Sequence, residues 1–190
     1  MKNNDYTIIA RDCVGGILYH QHGMRFLTPT INLFFTPEDF NYLCLNFKEY
    51  IECELIEYKD DNIEYPVGIL SPDNLNPIKV YFLHYDSFKE AKNKWDDRKT
   101  RINWDNICVI STFCYPLEVK TLTPKLIEDW NKIKYKKVVL VDKKYGFDNE
   151  VIIKKPAECN EYAWLLYSPD KDNPMRRTFN DYDFDKFLND

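Results

Sequence analysis

The sequence predicts an α/β fold: a layered sandwich with a mixed, largely parallel sheet flanked by about three to four helices, in a single domain over residues 1–190. Three observations carry this prediction. Strand-like and helix-like segments alternate along the chain, as they do where helices cross over between parallel strands. Thr36, Ser87 and Thr123 each precede a helix-compatible pattern and mark helix starts. The 190 residues, 44% apolar and 30% charged, suffice for one sizeable core and are too hydrophobic for a disordered chain.

The elements follow in order. Residues 6–12 (Tyr-Thr-Ile-Ile-Ala-Arg-Asp) predict the first strand. Residues 13–29 predict a loop with at most one helical turn, and residues 31–35 a short extended segment. In Thr36-Pro37-Glu38-Asp39 the threonine can cap, proline suits the first helical position and the acids favour the positive end of the helix dipole. Phe40, Leu43, Cys44, Phe47, Tyr50 and Ile51 then recur at helical spacing, predicting one amphipathic helix over 37–52. Strands are predicted at 53–58, 67–71 and 78–83. Ser87-Phe-Lys-Glu90 forms a capping box for a helix to about residue 103, with Phe88, Ala91, Trp95 and Ile102 on one face. A strand at 106–112 precedes a helix opened by Thr123-Pro124. Strands at 137–142 and 150–154 follow, then an aromatic, acidic tail with a strand-like 162–167 and a last helix at 182–189.

Composition narrows the function. Glycine is scarce, 5 of 190, yet Gly15, Gly16 and Gly23 fall within nine residues, so this segment needs unusual backbone. No G-x-G-x-x-G and no phosphate-binding G-x-x-x-x-G-K-[ST] is present, and no cofactor is predicted. The apolar runs are far shorter than the roughly 18 residues of a membrane span. The start, Met1 to Asp5, leads into a strand rather than a secretion signal. A net charge of −5 (26 minus 31) weighs against nucleic acid as a partner. Six cysteines without a C-x-x-C suggest reduced thiols in the cytoplasm, with Cys44 and Cys108 as core residues. Only six arginines stand against 20 lysines, so each arginine invites a reason for its planar fork.

Four constellations could carry chemistry. Cys13 ends the first strand ahead of Gly15 and Gly16. A tight turn there would expose the sulfur and aim backbone N–H groups at an anion, with His84, His20 or His22 as the base. The alternative is that Cys13 is a small buried residue. His20-Gln21-His22 binds a metal only if extended and joined by a third ligand, and no sequence motif supplies one, so no metal site is predicted. His84-Tyr85-Asp86-Ser87 occupies a strand-to-helix junction, where His84 serves as a base, as an anion contact at the helix N-terminus, or as a structural group in the turn. Lys94, Arg98 and Arg101 share one helix face through spacings of four and three, and form either a phosphate grip or a solvated stripe.

These residues also carry a resemblance. Cys13-Val-Gly-Gly-Ile-Leu-Tyr19, Pro29-Thr-Ile-Asn-Leu-Phe34, Pro37-Glu-Asp-Phe40, Tyr65-Pro-Val-Gly68 and Phe82-Leu-His-Tyr-Asp-Ser87 follow one pattern. So does the stretch Ala91 to Asn106 with Lys94-Trp95, Arg98 and Arg101-Ile102. Together they resemble the bacterial domain of unknown function 1919 family over essentially the whole chain. The chain departs from that family at Arg11-Asp12, where two amides are usual, and at Val14, where an aromatic is common. Family members are often labelled exopolysaccharide biosynthesis proteins. The resemblance therefore implies an accessory enzyme of exopolysaccharide or capsule synthesis that modifies a sugar or acyl group. Cys13 and His84 would be catalytic, Gly15, Gly16, Arg98 and Arg101 would bind, and the partner would be a nucleotide sugar, polysaccharide precursor or other anionic small molecule. A fainter similarity to an uncharacterised family labelled papain-like cysteine peptidase singles out the same Cys13 and His84. The competing expectation is a non-catalytic carbohydrate- or protein-binding module, with Trp164, Tyr167 and Tyr182 as stacking surface.

Overall fold

The computed structural model describes residues 5–189, apart from the side chains of residues 116 and 117. The segment ahead of Asp5, part of the start read above, lies outside the described residues. In chain order the first elements are β1 (Thr7–Ala10), α1 (Val14–Gln21), α2 (Pro37–Leu45), α3 (Phe47–Glu52), β2 (Ile56–Tyr58), β3 (Val67–Leu70), β4 (Ile78–Tyr81) and α4 (Phe88–Lys99). Then come β5 (Ile107–Phe113), α5 (Pro116–Val119), α6 (Pro124–Lys132), β6 (Lys136–Val141), β7 (Glu150–Ile152) and α7 (Phe184–Asn189). Short 3-10 turns at Trp164–Leu166 and Thr178–Asp181 precede α7.

The architecture is α/β, as the alternation of elements predicts. Four strands form a wholly parallel sheet in the order β1-β5-β6-β7. The other three make a separate antiparallel sheet in the order β2-β3-β4, so the expected mixed sheet is two sheets. Alternate residues of the parallel strands enter two different cores, because successive strand side chains point to opposite faces. Ile9, Val109, Val139 and Val141 pack with the antiparallel sheet and with α2, α3, α4 and α6. Ile8, Ala10, Ile110, Val138 and Leu140 pack with α1, the 3-10 turns and α7.

The three predicted helix starts are realised locally. Thr36 Oγ1 accepts from the Asp39 N–H, Ser87 Oγ from that of Glu90 and Thr123 Oγ1 from that of Leu126, each at 3.2 Å. The helix predicted over 37–52 breaks in two at Asn46 (φ −133°), whose amide side chain reaches the Tyr42 carbonyl at 3.4 Å. Asparagine competes for backbone groups in this way and disfavours a helix interior. The strand-like 162–167 is instead a 3-10 turn that buries Trp164 and Leu165.

A short strap joins the two sheets. Phe34 exchanges backbone hydrogen bonds with Tyr81 at the end of β4, 2.9 and 3.0 Å, and the Phe34 and Tyr81 rings stack at 4.6 Å. The next residue, Phe35, donates its N–H to the Arg11 carbonyl just past β1, 3.0 Å away. The carboxyl ends of β1 and β4, far apart in sequence, are thus tied to neighbouring residues of one segment.

Candidate functional site

That strap sets up the candidate site. Two residues beyond Arg11 stands Cys13, and three residues beyond Tyr81 stands His84. The Cys13 Sγ lies 3.4 Å from His84 Nε2, a hydrogen-bonding distance for sulfur. Cys13 is half-buried and caps α1, and His84 is exposed. Among the described residues His84 makes no other hydrogen bond, so no carboxylate orients its second ring nitrogen.

The floor beneath Cys13 is polar, buried and charged. Asp12 Oδ1 accepts from the Val14 N–H at 3.0 Å and so takes one of the donors at the start of α1. Asp12 Oδ2 accepts from the Thr112 hydroxyl at 2.6 Å, and that hydroxyl in turn accepts from Arg11 Nη2 at 2.7 Å. Arg11, 3% exposed, also meets Glu118 Oε1 at 2.6 Å and donates to the Phe35 carbonyl at 3.1 Å. Burial works against the Arg11 charge, but Glu118 and Asp12 outweigh it and hold the guanidinium above its ordinary pKa. Burial, helped by the Asp12 charge, pushes the Cys13 thiol up to about 12. At neutral pH the sulfur is therefore a thiol rather than a thiolate, and it becomes nucleophilic only as a base removes its proton.

Gly15 and Gly16 do not form the tight turn expected of them. They are the second and third residues of α1, and both are buried. A Cβ on Gly15 would stand 2.5 Å from the Ala10 Cβ, and one on Gly16 would stand 2.9 Å from the Asn32 Oδ1. They are glycine because the helix lies against β1 and the segment before the strap. Their N–H groups occupy the N-terminal turn, where helix geometry supplies no partner within the helix. Of the three clustered glycines it is Gly23 that uses the left-handed backbone (φ 61°), where it stops α1.

The two histidines at the end of α1 play other parts. His20 meets the Phe26 ring edge-on at 5.4 Å, and His22 Nδ1 lies 3.4 Å from the Asp185 carboxylate on α7. Among the described residues no group of three or more His, Cys, Asp or Glu side chains could hold a metal ion. No helix among them is long and apolar enough to cross a membrane.

The expected basic stripe on α4 comes apart. Lys94 is exposed. Arg101 falls beyond the end of the helix and pairs with Asp97. Arg98 turns inward, 9% exposed, donates to the Tyr85 hydroxyl at 2.8 Å and stacks over the Phe26 ring at 5.1 Å. The Tyr85 hydroxyl in turn donates a hydrogen bond to the Ile31 carbonyl at 2.9 Å. Of the aromatic residues expected to stack on a ligand, Trp164 is buried, and Tyr182 packs its ring on Phe184 and Phe187.

Sequence reading noted Asp12 and Tyr85 without giving either a role of its own, and passed over Thr112 and Glu118. Only Arg11 carried a signal, as one of six arginines, since the partners that reveal the others lie up to about a hundred residues away.

Comparison with known proteins agrees in extent and is silent on activity. An uncharacterised protein of Haemophilus influenzae is 30% identical over 146 residues, which is 76% of this chain and 66% of that protein, so the chain spans just under two thirds of its relative. A family model described as a domain of unknown function matches residues 1–189. With that match over nearly its whole length, the chain belongs to the family Domain of unknown function (DUF1919).

Proposed function

We propose that this chain is a single-domain, thiol-dependent enzyme that transfers an acyl group to or from a small polar substrate. The observation that carries the reading is the 3.4 Å contact between Cys13 Sγ and His84 Nε2 at the carboxyl end of a parallel strand, the end where ligands bind in open α/β sheets. Nucleophile and base within hydrogen-bond reach are the minimum for covalent catalysis. His84 Nε2 takes the Sγ proton as sulfur attacks the acyl carbon. The imidazolium returns that proton to the leaving group, and a thioester remains on Cys13. An acceptor hydroxyl or water then attacks the thioester while giving its proton to His84, and the imidazolium reprotonates the departing sulfur. The N-terminal amides of α1 at Gly15 and Gly16 are the groups nearest in sequence to receive the oxyanion.

The setting proposed is the cytoplasm, supported by six free cysteines. The substrate proposed is a nucleotide sugar, a polysaccharide precursor or another anionic small molecule, in the exopolysaccharide or capsule context that the family resemblance implies. Of the proposed anion contacts, Arg98 faces the interior beside Tyr85, whereas Arg101 is taken by Asp97.

The test uses p-nitrophenyl acetate as a generic acyl donor, with peptide mapping by mass spectrometry. One acetyl group is expected on Cys13, absent in Cys13→Ala and formed at least about 100-fold more slowly in His84→Ala. Acetylation spread over lysines, unchanged in both variants, overturns the reading. A second reading, a non-catalytic binding module, draws on a different observation: the thiol is held near 12 and, among the described residues, no third residue orients His84. On that reading Cys13 stays unacetylated in the folded protein.

A further inference from the structure

Arg98 is a buried cation without a buried anion. At 9% exposure its side chain is mostly buried, and burying a charge is costly unless an opposite charge compensates. Among the described residues it pairs with no carboxylate. Its contacts are the Tyr85 hydroxyl at 2.8 Å and the face of Phe26 at 5.1 Å. The two acids that immediately precede it in α4 are engaged elsewhere. Asp96 holds Lys92 at 3.3 Å and Lys99 at 3.0 Å, and Asp97 holds Arg101. Burial keeps the Tyr85 phenol above its ordinary pKa even against the pull of Arg98, so the phenol stays neutral and does not compensate the charge.

Its location gives this open charge a meaning. Tyr85 follows His84 directly, and its hydroxyl donates to the carbonyl of Ile31, whose side chain lies against Gly16 of α1, three residues beyond Cys13. A planar guanidinium held by a phenol and an aromatic face keeps its remaining N–H groups in a fixed fork, and among the described residues these have no hydrogen-bond partner. That fork matches a carboxylate or a phosphate.

We infer that Arg98 is the anion-recognition residue of the Cys13–His84 site and that the ligand carries one carboxylate or phosphate group beside the position attacked by sulfur. The inference rests on the thiol-transfer reading only for naming that neighbour as the reacting thiol. Tyr85 and Phe26 act as positioning residues that aim the guanidinium, and Arg101 takes no part. A neutral acyl donor would bind weakly, because it would leave the Arg98 charge uncompensated.

Two measurements test this. Calorimetric titration with inorganic phosphate, and separately with acetate, is made on the wild-type chain and on Arg98→Met, Arg98→Lys and Arg101→Met. Binding of at least one of the two anions is expected in the wild type. It should fall by about tenfold or more in Arg98→Met, in keeping with loss of a charge-assisted contact. It should be weakened but retained in Arg98→Lys, and unchanged in Arg101→Met. Absence of both anions from the wild type, or equal binding in a folded Arg98→Met, overturns the inference. Should Arg98→Met fail to fold, Tyr85→Phe replaces it, and unaltered anion affinity there counts against the fork.

The second measurement compares iodoacetate with iodoacetamide at Cys13. The ratio of the two rates is expected to drop in Arg98→Met while the iodoacetamide rate holds. Absence of thioester formation in the wild type, with Arg98-dependent anion binding intact, would sink the thiol chemistry alone. Thioester formation with no anion preference would sink the Arg98 assignment alone.

Discussion

The strand that delivers Cys13 and the strand that delivers His84 sit in different surroundings. All four residues of β1 are buried, and the chain leaves it through Arg11 and Asp12, both buried and locked to Thr112 and Glu118. β4 alternates buried and half-buried residues, and the chain beyond it exposes Leu83 and His84. The nucleophile side is fixed by charge and packing. The base side is held by the strap at Phe34, a two-residue bridge reinforced by ring stacking. Substitutions on the first side should therefore act on folding, and those on the second on chemistry.

The largest effect should come from Glu118→Gln, which leaves Arg11 buried beside a single remaining carboxylate. A loss of about 3–5 kcal/mol is expected in chemical denaturation. A loss under about 1 kcal/mol would mean that the cluster does not anchor this side. Gly15→Ala comes next, because its methyl group would meet the Ala10 Cβ at 2.5 Å, where neither partner can rotate away. Overpacking of this kind costs about 1–3 kcal/mol. Gly16→Ala should cost less, since the atom it meets ends the exposed Asn32 side chain. The reverse order would place the tight contact of α1 on the other side of the helix.

Asp12→Asn should cost about 1.5 kcal/mol through the weakened bonds to Val14 and Thr112. It also has a signature on the thiol. Removing a nearby negative charge makes the thiolate cheaper, so the Cys13 pKa falls below about 12, yet burial keeps it above that of an ordinary thiol. Ultraviolet titration against Cys13→Ala reads this directly, and an unchanged midpoint would remove Asp12 from the electrostatics of the site. The smallest change in stability belongs to His84→Ala, within about 0.5 kcal/mol by thermal melting, as expected for an exposed side chain. A large destabilisation there would make His84 part of the fold and dissolve the contrast between the two sides.

Legibility in the sequence follows the range of each interaction. Thr36, Ser87 and Thr123 announced their helices because a cap acts across three residues. Strands such as β5 and β6 were visible in their β-branched runs. Helix α1 was hidden, because two glycines in succession look like a break and the contact that requires Gly15 lies on another element. The α4 arginines show the same limit. Spacing put Arg98 and Arg101 on one face, but the helix ended between them and their partners then diverged.

By itself, then, the sequence determined the α/β succession of elements, the places where helices begin, and the position of Cys13 just past the first strand. The tertiary structure decided that His84, 71 residues away, is the histidine at its sulfur, that Arg11 is neutralised and that Arg98 is not. The reason is physical. Caps and periodicity act within one or two turns of the chain, where the residue string is enough. Whether two side chains meet, or a buried charge finds its opposite, depends on how separate elements dock, and here that docking turns on the backbone bonds of Phe34 and Phe35.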